Sequence, residues 1–277
     1  HTETCANIGN VLWNWRMLQI TGDAKYADIV ELALYNSVLS GMNLEGDKFL
    51  YNNPLNVSND LPFHQRWGNV REGYIALSNC CAPNVTRTVA EVGNYAYNIS
   101  KEGLYVNLYG SNALKTKSLS GEEIEIEQQT NYPWDGKITL KIVKAPKDLQ
   151  NFFLRIPGWS QNASVSVNNA KINEKIVSGT YLKLNQKWKK GDVITLTIPM
   201  PVELMQANPL VEEVKNQVAL KRGPIVYCLE SDQLPANTSV NDLILNLNSE
   251  FKTDFTEFSI KAQHSKYLLC FSEQFKS

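Results

Sequence analysis

Apolar residues in the first part of the chain recur at helical spacing. From Ala6 to Ile20 the pattern predicts a helix with one apolar face, formed by Ile8, Val11, Leu12, Trp15 and Leu18. Gly22 can end this helix and Asp23 can cap the next one, which carries an apolar stripe as far as about Gly41. We therefore expect two consecutive helices that pack through their apolar faces.

A third helix is predicted after a pair of adjacent cysteines. Pro83 suits a first helical turn and Asn84 is a candidate cap. Apolar residues then continue at helical spacing to Ile99. The segment between the second and third helices, residues 43–79, shows no periodicity. Irregular segments of that length are uncommon unless they line a functional site.

Near Gly103 the period of the pattern changes to two. Short alternating runs such as GLYVNLYG, KITLKIVK and DVITLTIPM predict an antiparallel β-sandwich. Pro199 and Pro201 then indicate a boundary, and QVALKRGPIVYCLE begins a second β unit. The predicted class is α+β, with a helical domain over 1–102, a sandwich over 103–201 and a second, incomplete sandwich over 202–277.

Composition narrows the classes of function. The formal net charge of -1 gives no electrostatic basis for binding nucleic acid or an anionic membrane. No apolar run approaches the length of a membrane span. Five cysteines in 277 residues do not make a disulfide scaffold, and we expect Cys228 and Cys270, in apolar strand-like contexts, to be buried thiols.

Two distant segments carry the donor types of one zinc site. Glu3 and Cys5 stand at the start, and the adjacent pair Cys80 and Cys81 follows much later. One carboxylate and three thiolates can form a tetrahedral zinc shell. Residues two apart share a side only in an extended segment, so Glu3 and Cys5 are predicted to be non-helical. The alternative is that these are ordinary buried cysteines, which behave as small hydrophobic residues.

Several phrases together resemble one family of enzymes. HTETCANIGNVLWNWRML, FLYNNPL, CCAPN, LRIPGW and ALKRGPIVYCLE occur in the order found in glycoside hydrolase families 127 and 146, whose type activity is β-L-arabinofuranosidase. The resemblance implies the last helices of an (α/α)6 barrel followed by two antiparallel β-sandwich domains. Helical layers upstream of this chain are then expected, because three helices cannot close a domain.

The resemblance also implies roles for individual residues. It makes Glu3, Cys5, Cys80 and Cys81 the zinc ligands, with Cys80 as the nucleophile. It makes Glu31 and Tyr51 contacts of the substrate, although sequence alone favours a solvated charge at Glu31. The general acid/base glutamate of the family falls upstream of Glu3, and Ala82 departs from the CCPPN motif of many members.

The function expected from this resemblance is that of a bacterial retaining glycosidase acting on β-L-arabinofuranosides of plant-type glycans. Its partners would be a carbohydrate substrate, the rest of its own barrel and, as an open option, further copies of itself. The sequence does not fix the cellular location, and we favour the periplasm over the cytoplasm. The 277 residues alone are expected to lack activity. The competing hypothesis is a non-catalytic carbohydrate-binding or structural β-sandwich protein with a structural zinc site.

Overall fold

The computed structural model of the protein describes residues 2–53, 80–146 and 149–228, and short stretches at 234–235, 238, 243–245, 251, 256–259 and 265–268. Most of the predicted irregular segment, and Cys270, lie outside the described residues. No helix within these ranges is long and apolar enough to cross a membrane.

The first two helices form as the pattern predicts. Helix α1 spans Thr4–Thr21, and α2 spans Ala24–Ala33 and continues through a π-helical turn to Val38 and a 3-10 turn to Gly41. Gly22 ends α1 in the left-handed conformation, at φ 69°, and its N–H donates to the Leu18 carbonyl at 2.8 Å. Glycine adopts this conformation without the steric cost of a Cβ atom. Asp23 caps α2 by accepting a hydrogen bond from the Lys25 N–H at 3.1 Å.

The apolar faces of the helices meet in one core. Ile8, Val11, Trp15 and Leu18 of α1 are buried, as the spacing predicted, and Leu12 packs at the edge. Their partners come from α2, the turns that follow it and α3, and include Ala27, Val30, Leu34, Val38 and Val85. Burying a side chain of this size stabilises a fold by about 1.5–3 kcal/mol. This core fixes where the first residues of α1 and α3 lie.

The third helix is shorter than predicted. Helix α3 spans Cys81–Glu91 and is followed by a 3-10 turn, Val92–Tyr95. The chain then forms strand β1, Tyr97–Ile99, which pairs with β2, Leu104–Val106, through a turn at residues 100–103. The prediction of helix as far as Ile99 is therefore wrong. Tertiary packing overrides the local helical pattern here, because Tyr97 and Ile99 pack against the core of the β-sandwich.

The middle part of the chain is a two-layer sandwich. A four-stranded sheet has the order β1-β2-β6-β9, and a six-stranded sheet has the order β3-β4-β5-β10-β7-β8. The remaining strands are β3 Asn112–Lys117, β4 Glu123–Thr130, β5 Lys137–Lys144, β6 Asn151–Ile156, β7 Ser164–Val167, β8 Ala170–Lys171, β9 Thr180–Asn185 and β10 Val193–Thr197. The pairing of β2 with β6 is parallel, which corrects the expectation of a wholly antiparallel sandwich.

Alternating residues of the two sheets face each other and form the sandwich core. Ile124, Ile126, Ile138, Leu140, Ile142, Ile194 and Leu196 come from the six-stranded sheet, and Leu104, Val106, Phe152, Leu154, Ile156, Leu182 and Leu184 from the other. Inward-facing residues alternate along a strand because successive side chains point to opposite faces. Within 103–146 and 149–200 the structure contains no helix.

The last part of the chain is also β structure. Strands β11 Val202–Met205, β12 Ala219–Arg222 and β13 Ile225–Tyr227 form a three-stranded antiparallel sheet. Strands β14 Thr256–Ser259 and β15 Ser265–Leu268 form a separate antiparallel pair. The predicted change from helix to β structure along the chain is thus confirmed at the level of fold class.

Candidate metal centre

The first donor pair stands at the start of α1. Glu3 is the N-cap residue, with extended backbone angles of φ -64° and ψ 134°, and forms an isolated antiparallel bridge with Asn52. Cys5 lies inside the first helical turn. The prediction of a non-helical segment is therefore right for Glu3 and wrong for Cys5. The change of backbone conformation between the two residues brings both side chains to the same side.

The second donor pair stands at the start of α3. Cys80 is the N-cap residue and Cys81 is the first helical residue. Both helices that supply donors therefore begin at this cluster. The N-terminal end of a helix carries a partial positive charge, which favours anionic groups such as thiolates and carboxylates.

The four side chains converge, as the sequence predicted. Their ligand atoms all lie within 4.8 Å of one another. The sulfur atoms of Cys5 and Cys81 are 3.4 Å apart, and those of Cys80 and Cys81 are 3.7 Å apart. The Cys80 sulfur is 3.9 Å from Oε1 of Glu3. Segments separated by more than seventy residues thus form one thiol cluster, which consists of Glu3, Cys5, Cys80 and Cys81.

This spacing fits a tetrahedral zinc shell. Two sulfurs each about 2.3 Å from one ion, at tetrahedral angles, are about 3.8 Å apart. The separations in the cluster are close to that value. The donor set also suits zinc, which binds thiolates and a carboxylate in four-coordinate sites. The residues present therefore fit the metal that the sequence predicted.

The protein environment by itself raises the pKa of two of these thiols. Burial raises the pKa of Cys5, although the hydrogen bond from Asn84 opposes this effect. Burial also raises the pKa of Cys81 well above its usual value, and the neighbouring Cys5 contributes. A cation among them would reverse this preference, because metal-bound thiols are deprotonated.

Tyr51, a predicted substrate contact, lies against the cluster. Its ring is buried and packs with Cys81, and its hydroxyl is hydrogen-bonded to the Glu3 side chain. Burial and this hydrogen bond raise the pKa of Tyr51 to about 12. The residue reaches this position because the Thr4 N–H donates to the Tyr51 carbonyl at 2.9 Å. Tyr51 therefore orients one of the four donors.

Asn84 also contacts the cluster, whereas its place in the sequence predicted only a helix cap. That prediction is wrong, since α3 begins three residues earlier. Its Nδ2 donates to the Cys5 sulfur at 3.2 Å, and its Oδ1 accepts from Nε of Arg87 at 2.8 Å. The available signal was spacing: residues three and four apart share a helix face, which places Asn84 beside the cysteine pair.

Glu31 lies in a different environment from the thiol cluster. Its side chain is 2% exposed, so the expectation of a solvated charge is wrong. Its Oε1 accepts hydrogen bonds from the Tyr132 hydroxyl at 2.6 Å and from Arg155 at 2.5 Å, and Oε2 accepts from Trp159 at 3.3 Å. These contacts join α2 to the sandwich. The role of Glu31 in substrate binding stays a prediction.

The four cysteines in the described residues are reduced thiols. Cys228, which we expected to be buried, is exposed just after β13. The strand before it explains the difference, since Val226 in the middle of β13 is itself 39% exposed. The apolar context of Cys228 thus marks a sheet surface and not a core.

Sequence models of three domains match successive parts of the chain. Residues 1–94 match the "Beta-L-arabinofuranosidase, GH127 catalytic domain" and residues 103–200 the "Beta-L-arabinofuranosidase, GH127 middle domain". Residues 202–266 match the "Glycoside hydrolase family 127 C-terminal domain". Strand β1 falls between the first two matches.

Named relatives agree with these matches. A non-reducing end β-L-arabinofuranosidase of Bifidobacterium longum subsp. longum is 31% identical over 245 residues, which are 85% of this chain and 36% of that protein. A solved glycoside hydrolase superposes on all of the chain with a TM-score of 0.88 at 44% identity, with 46% of its own length covered. A GH127 β-L-arabinofuranosidase from Geobacillus stearothermophilus T6 superposes on 92% of the chain with a TM-score of 0.82 at 38% identity, with 40% of its length covered. The chain thus spans less than half the length of these relatives.

Proposed function

Because this chain belongs to glycoside hydrolase family 127, we propose that the protein is a retaining glycosidase that releases β-L-arabinofuranosyl residues from plant-type glycans. In this proposal Cys80 is the nucleophile, and Glu3, Cys5, Cys80 and Cys81 hold a zinc ion. The observation that carries the proposal is the convergence of these four donors within 4.8 Å. The choice of sugar rests on the names of the relatives.

A cysteine can replace the usual carboxylate nucleophile only as a thiolate. Bound zinc would supply this condition, because it lowers the pKa of coordinating thiols. The Cys80 sulfur then attacks the anomeric carbon, and a C–S bond forms as the glycosidic C–O bond breaks. The leaving oxygen takes a proton from a general acid. Water next attacks the same carbon and displaces the sulfur, so that two inversions retain the configuration.

Differences in burial favour Cys80 over its neighbour as the reacting thiol. Cys81 is completely buried behind Tyr51, with 0% exposure, whereas Cys80 is half-buried. A sugar can approach only a sulfur that has an open side. Cys80 is also the N-cap residue of α3, where the helix end stabilises a negative charge.

Tyr51 and Glu31 have different roles in this proposal, because only Tyr51 contacts the thiol cluster. Tyr51 touches the cluster, so we propose that it borders the sugar and orients Glu3. Glu31 has both carboxylate oxygens occupied by sandwich residues. We therefore propose that it acts on the site through the position of α2.

The test is made on the full-length protein with an aryl β-L-arabinofuranoside. Replacing the nucleophile in Cys80→Ser should lower kcat at least about 10³-fold, because the attacking group is lost. The matched control is Cys228→Ser, which changes an exposed cysteine outside the cluster. It should retain full activity.

A second readout identifies the reacting atom. A β-L-arabinofuranosyl haloacetamide should alkylate Cys80 in the native protein, and mass spectrometry of the digested protein should find the label on that residue alone. An active Cys80→Ser variant would remove Cys80 as nucleophile. A native protein that binds zinc but neither turns over the glycoside nor takes up the label would support the non-catalytic alternative.

A further inference from the structure

We propose that Asn84 and Arg87 form a positioning relay that holds Cys5 as a permanent metal ligand and keeps it from acting as a nucleophile. The inference rests on the proposed zinc centre and extends it to two residues of α3 that are not themselves ligands. The relay runs from the Arg87 guanidinium through the Asn84 amide to the Cys5 sulfur.

The direction of the Asn84 amide follows from its partners. Nε of Arg87 lies 2.8 Å from Oδ1 of Asn84. A guanidinium only donates hydrogen bonds, so it must face the amide oxygen. The amide NH₂ group is then directed to the other side, where its nitrogen lies 3.2 Å from the Cys5 sulfur. Arg87 thus fixes which end of Asn84 meets the cluster.

Asn84 is also held through its backbone. Its N–H donates to the Cys80 carbonyl at 3.1 Å, and its carbonyl accepts from the Thr88 hydroxyl at 2.7 Å. One residue therefore contacts the backbone of the proposed nucleophile and the side chain of a ligand from the other segment. This double contact fixes the distance between the starts of α1 and α3.

The relay should make the Cys5 sulfur less nucleophilic than a thiolate that accepts no hydrogen bond. A hydrogen bond from N–H to a thiolate withdraws electron density from the sulfur, which lowers its nucleophilicity. Three thiolates and one carboxylate around a dication leave an excess of negative charge. The positive Arg87 and the amide dipole offset part of it. Cys5 should therefore stay a ligand while Cys80 reacts.

The test measures metal binding on the full-length protein and does not depend on turnover. Zinc affinity is measured by competition with a chromophoric chelator, for the native protein, Asn84→Leu and Arg87→Met. Residues that support a metal ligand typically contribute about 10–100-fold to affinity. We expect a loss in that range for Asn84→Leu and a smaller loss for Arg87→Met. The control is Thr86→Ala on the exposed side of α3, which should bind zinc like the native protein.

Cobalt(II) substitution supplies a spectroscopic signature. Loss of the hydrogen bond leaves more electron density on the Cys5 sulfur, so the sulfur-to-cobalt charge-transfer band should move to longer wavelength in both variants and not in the control. Arg87 is exposed, so its variant is expected to fold, which circular dichroism checks. Unchanged zinc affinity and an unchanged band in Arg87→Met and Asn84→Leu would overturn the relay. A native protein that binds neither metal would instead overturn the zinc centre.

Discussion

Arg155 and Glu31 form an ion pair that is buried on both sides. Nη2 of Arg155 lies 2.5 Å from Oε1 of Glu31, and the two side chains are 0% and 2% exposed. Nη1 of Arg155 pairs with Asp28 at 2.5 Å, and Nε donates to the Asn107 carbonyl. One arginine of strand β6 thus forms ion pairs with two carboxylates of helix α2. These ion pairs link the helical layer to the sandwich.

Replacing this arginine should destabilise the protein strongly. Arg155→Met leaves the buried Glu31 and the partly buried Asp28 without their cation, and breaking a buried pair typically costs about 3–5 kcal/mol. Urea unfolding at neutral pH measures the loss. The control is Lys141→Met, whose exposed pair with Glu127 at 4.0 Å should contribute less than about 1 kcal/mol. Equal effects of the two substitutions would contradict a structural role for the buried pair.

The cost of Arg155→Met should depend on pH. Burial already raises the pKa of Asp28 even with Arg155 beside it. Without the cation, the Asp28 carboxyl should bind its proton still more tightly in the folded than in the unfolded state. A raised folded-state pKa makes stability fall as pH rises, so acidification should favour the variant. The difference from the native protein should narrow between pH 7 and pH 5, and urea titrations at both pH values check this.

Tyr51→Phe tests whether this residue serves the metal centre or only the sugar. The substitution removes the hydroxyl that is hydrogen-bonded to Glu3 and retains the ring that packs on Cys81. Loss of a group that orients a ligand should weaken zinc binding about 10-fold. Chelator competition measures the affinity. A variant with native zinc affinity and a raised KM would assign Tyr51 to the substrate alone.

Tyr97→Phe should lower the free energy of unfolding, because the Tyr97 hydroxyl is a hydrogen-bond partner of a buried glutamine. The Tyr97 hydroxyl donates to Asn112 at 2.8 Å and accepts from the Gln128 amide at 3.1 Å. Gln128 is 1% exposed, and its Oε1 has no hydrogen-bond partner among the described residues. Removing the hydroxyl leaves the buried amide nitrogen unsatisfied as well, at a cost of about 1–3 kcal/mol. Denaturant unfolding at pH 8 measures it.

The native protein and the Tyr97→Phe variant should also differ in how their free energy of unfolding changes at alkaline pH. Burial raises the pKa of Tyr97 to about 12, whereas a tyrosine in an unfolded chain titrates near 10. Because the pKa of Tyr97 is higher in the folded than in the unfolded state, the protonated hydroxyl stabilises the fold fully below about pH 10. This contribution is lost between about pH 10 and 12. The stability difference between native protein and Tyr97→Phe should shrink by about 1–2 kcal/mol over this interval. A difference that stays constant would show that the hydroxyl is accessible to solvent.

Two glycines should respond in opposite directions to alanine. A Cβ atom on Gly136 would lie 1.8 Å from the Ile198 carbonyl oxygen, so β5 and β10 would have to separate locally. Gly136→Ala should destabilise the protein by about 3 kcal/mol. Gly9 is exposed in helix α1 and has nothing within 4 Å of an added Cβ. Gly9→Ala should stabilise by about 0.5–1 kcal/mol, and thermal unfolding of both variants checks the pair.

The sequence was sufficient for features that depend on local pattern or on donor type. The apolar period located α1 and α2, and Gly22 and Asp23 fixed their junction because each acts through its own backbone or side chain. The four donors could be grouped without a fold, because their donor types suit zinc and the family resemblance assigns them to one site. Their convergence is the part of the site that the structure confirms.

Features that depend on contacts between distant segments could not be predicted. The pattern around Ile99 fits a helix as well as a strand, and packing against the sandwich decides between them. Glu31 looks solvated from its neighbours because Arg155 lies 124 positions away in sequence. The parallel pairing of β2 with β6 has no local signal either, since it depends on the order in which strands enter the sheet.

The hairpin of β1 and β2 limits how this protein can be recombined with its relatives. A chimera joined between residues 102 and 103 would take β1 from one parent and its partner β2 from the other. It would also combine the acidic pair of one parent's α2 with the arginine of the other's β6. Exchange of the helical layer is therefore expected to succeed only when β2 and the residue at position 155 come from the same parent as α2 and β1. The segment that has to be exchanged as one piece thus extends beyond the helices.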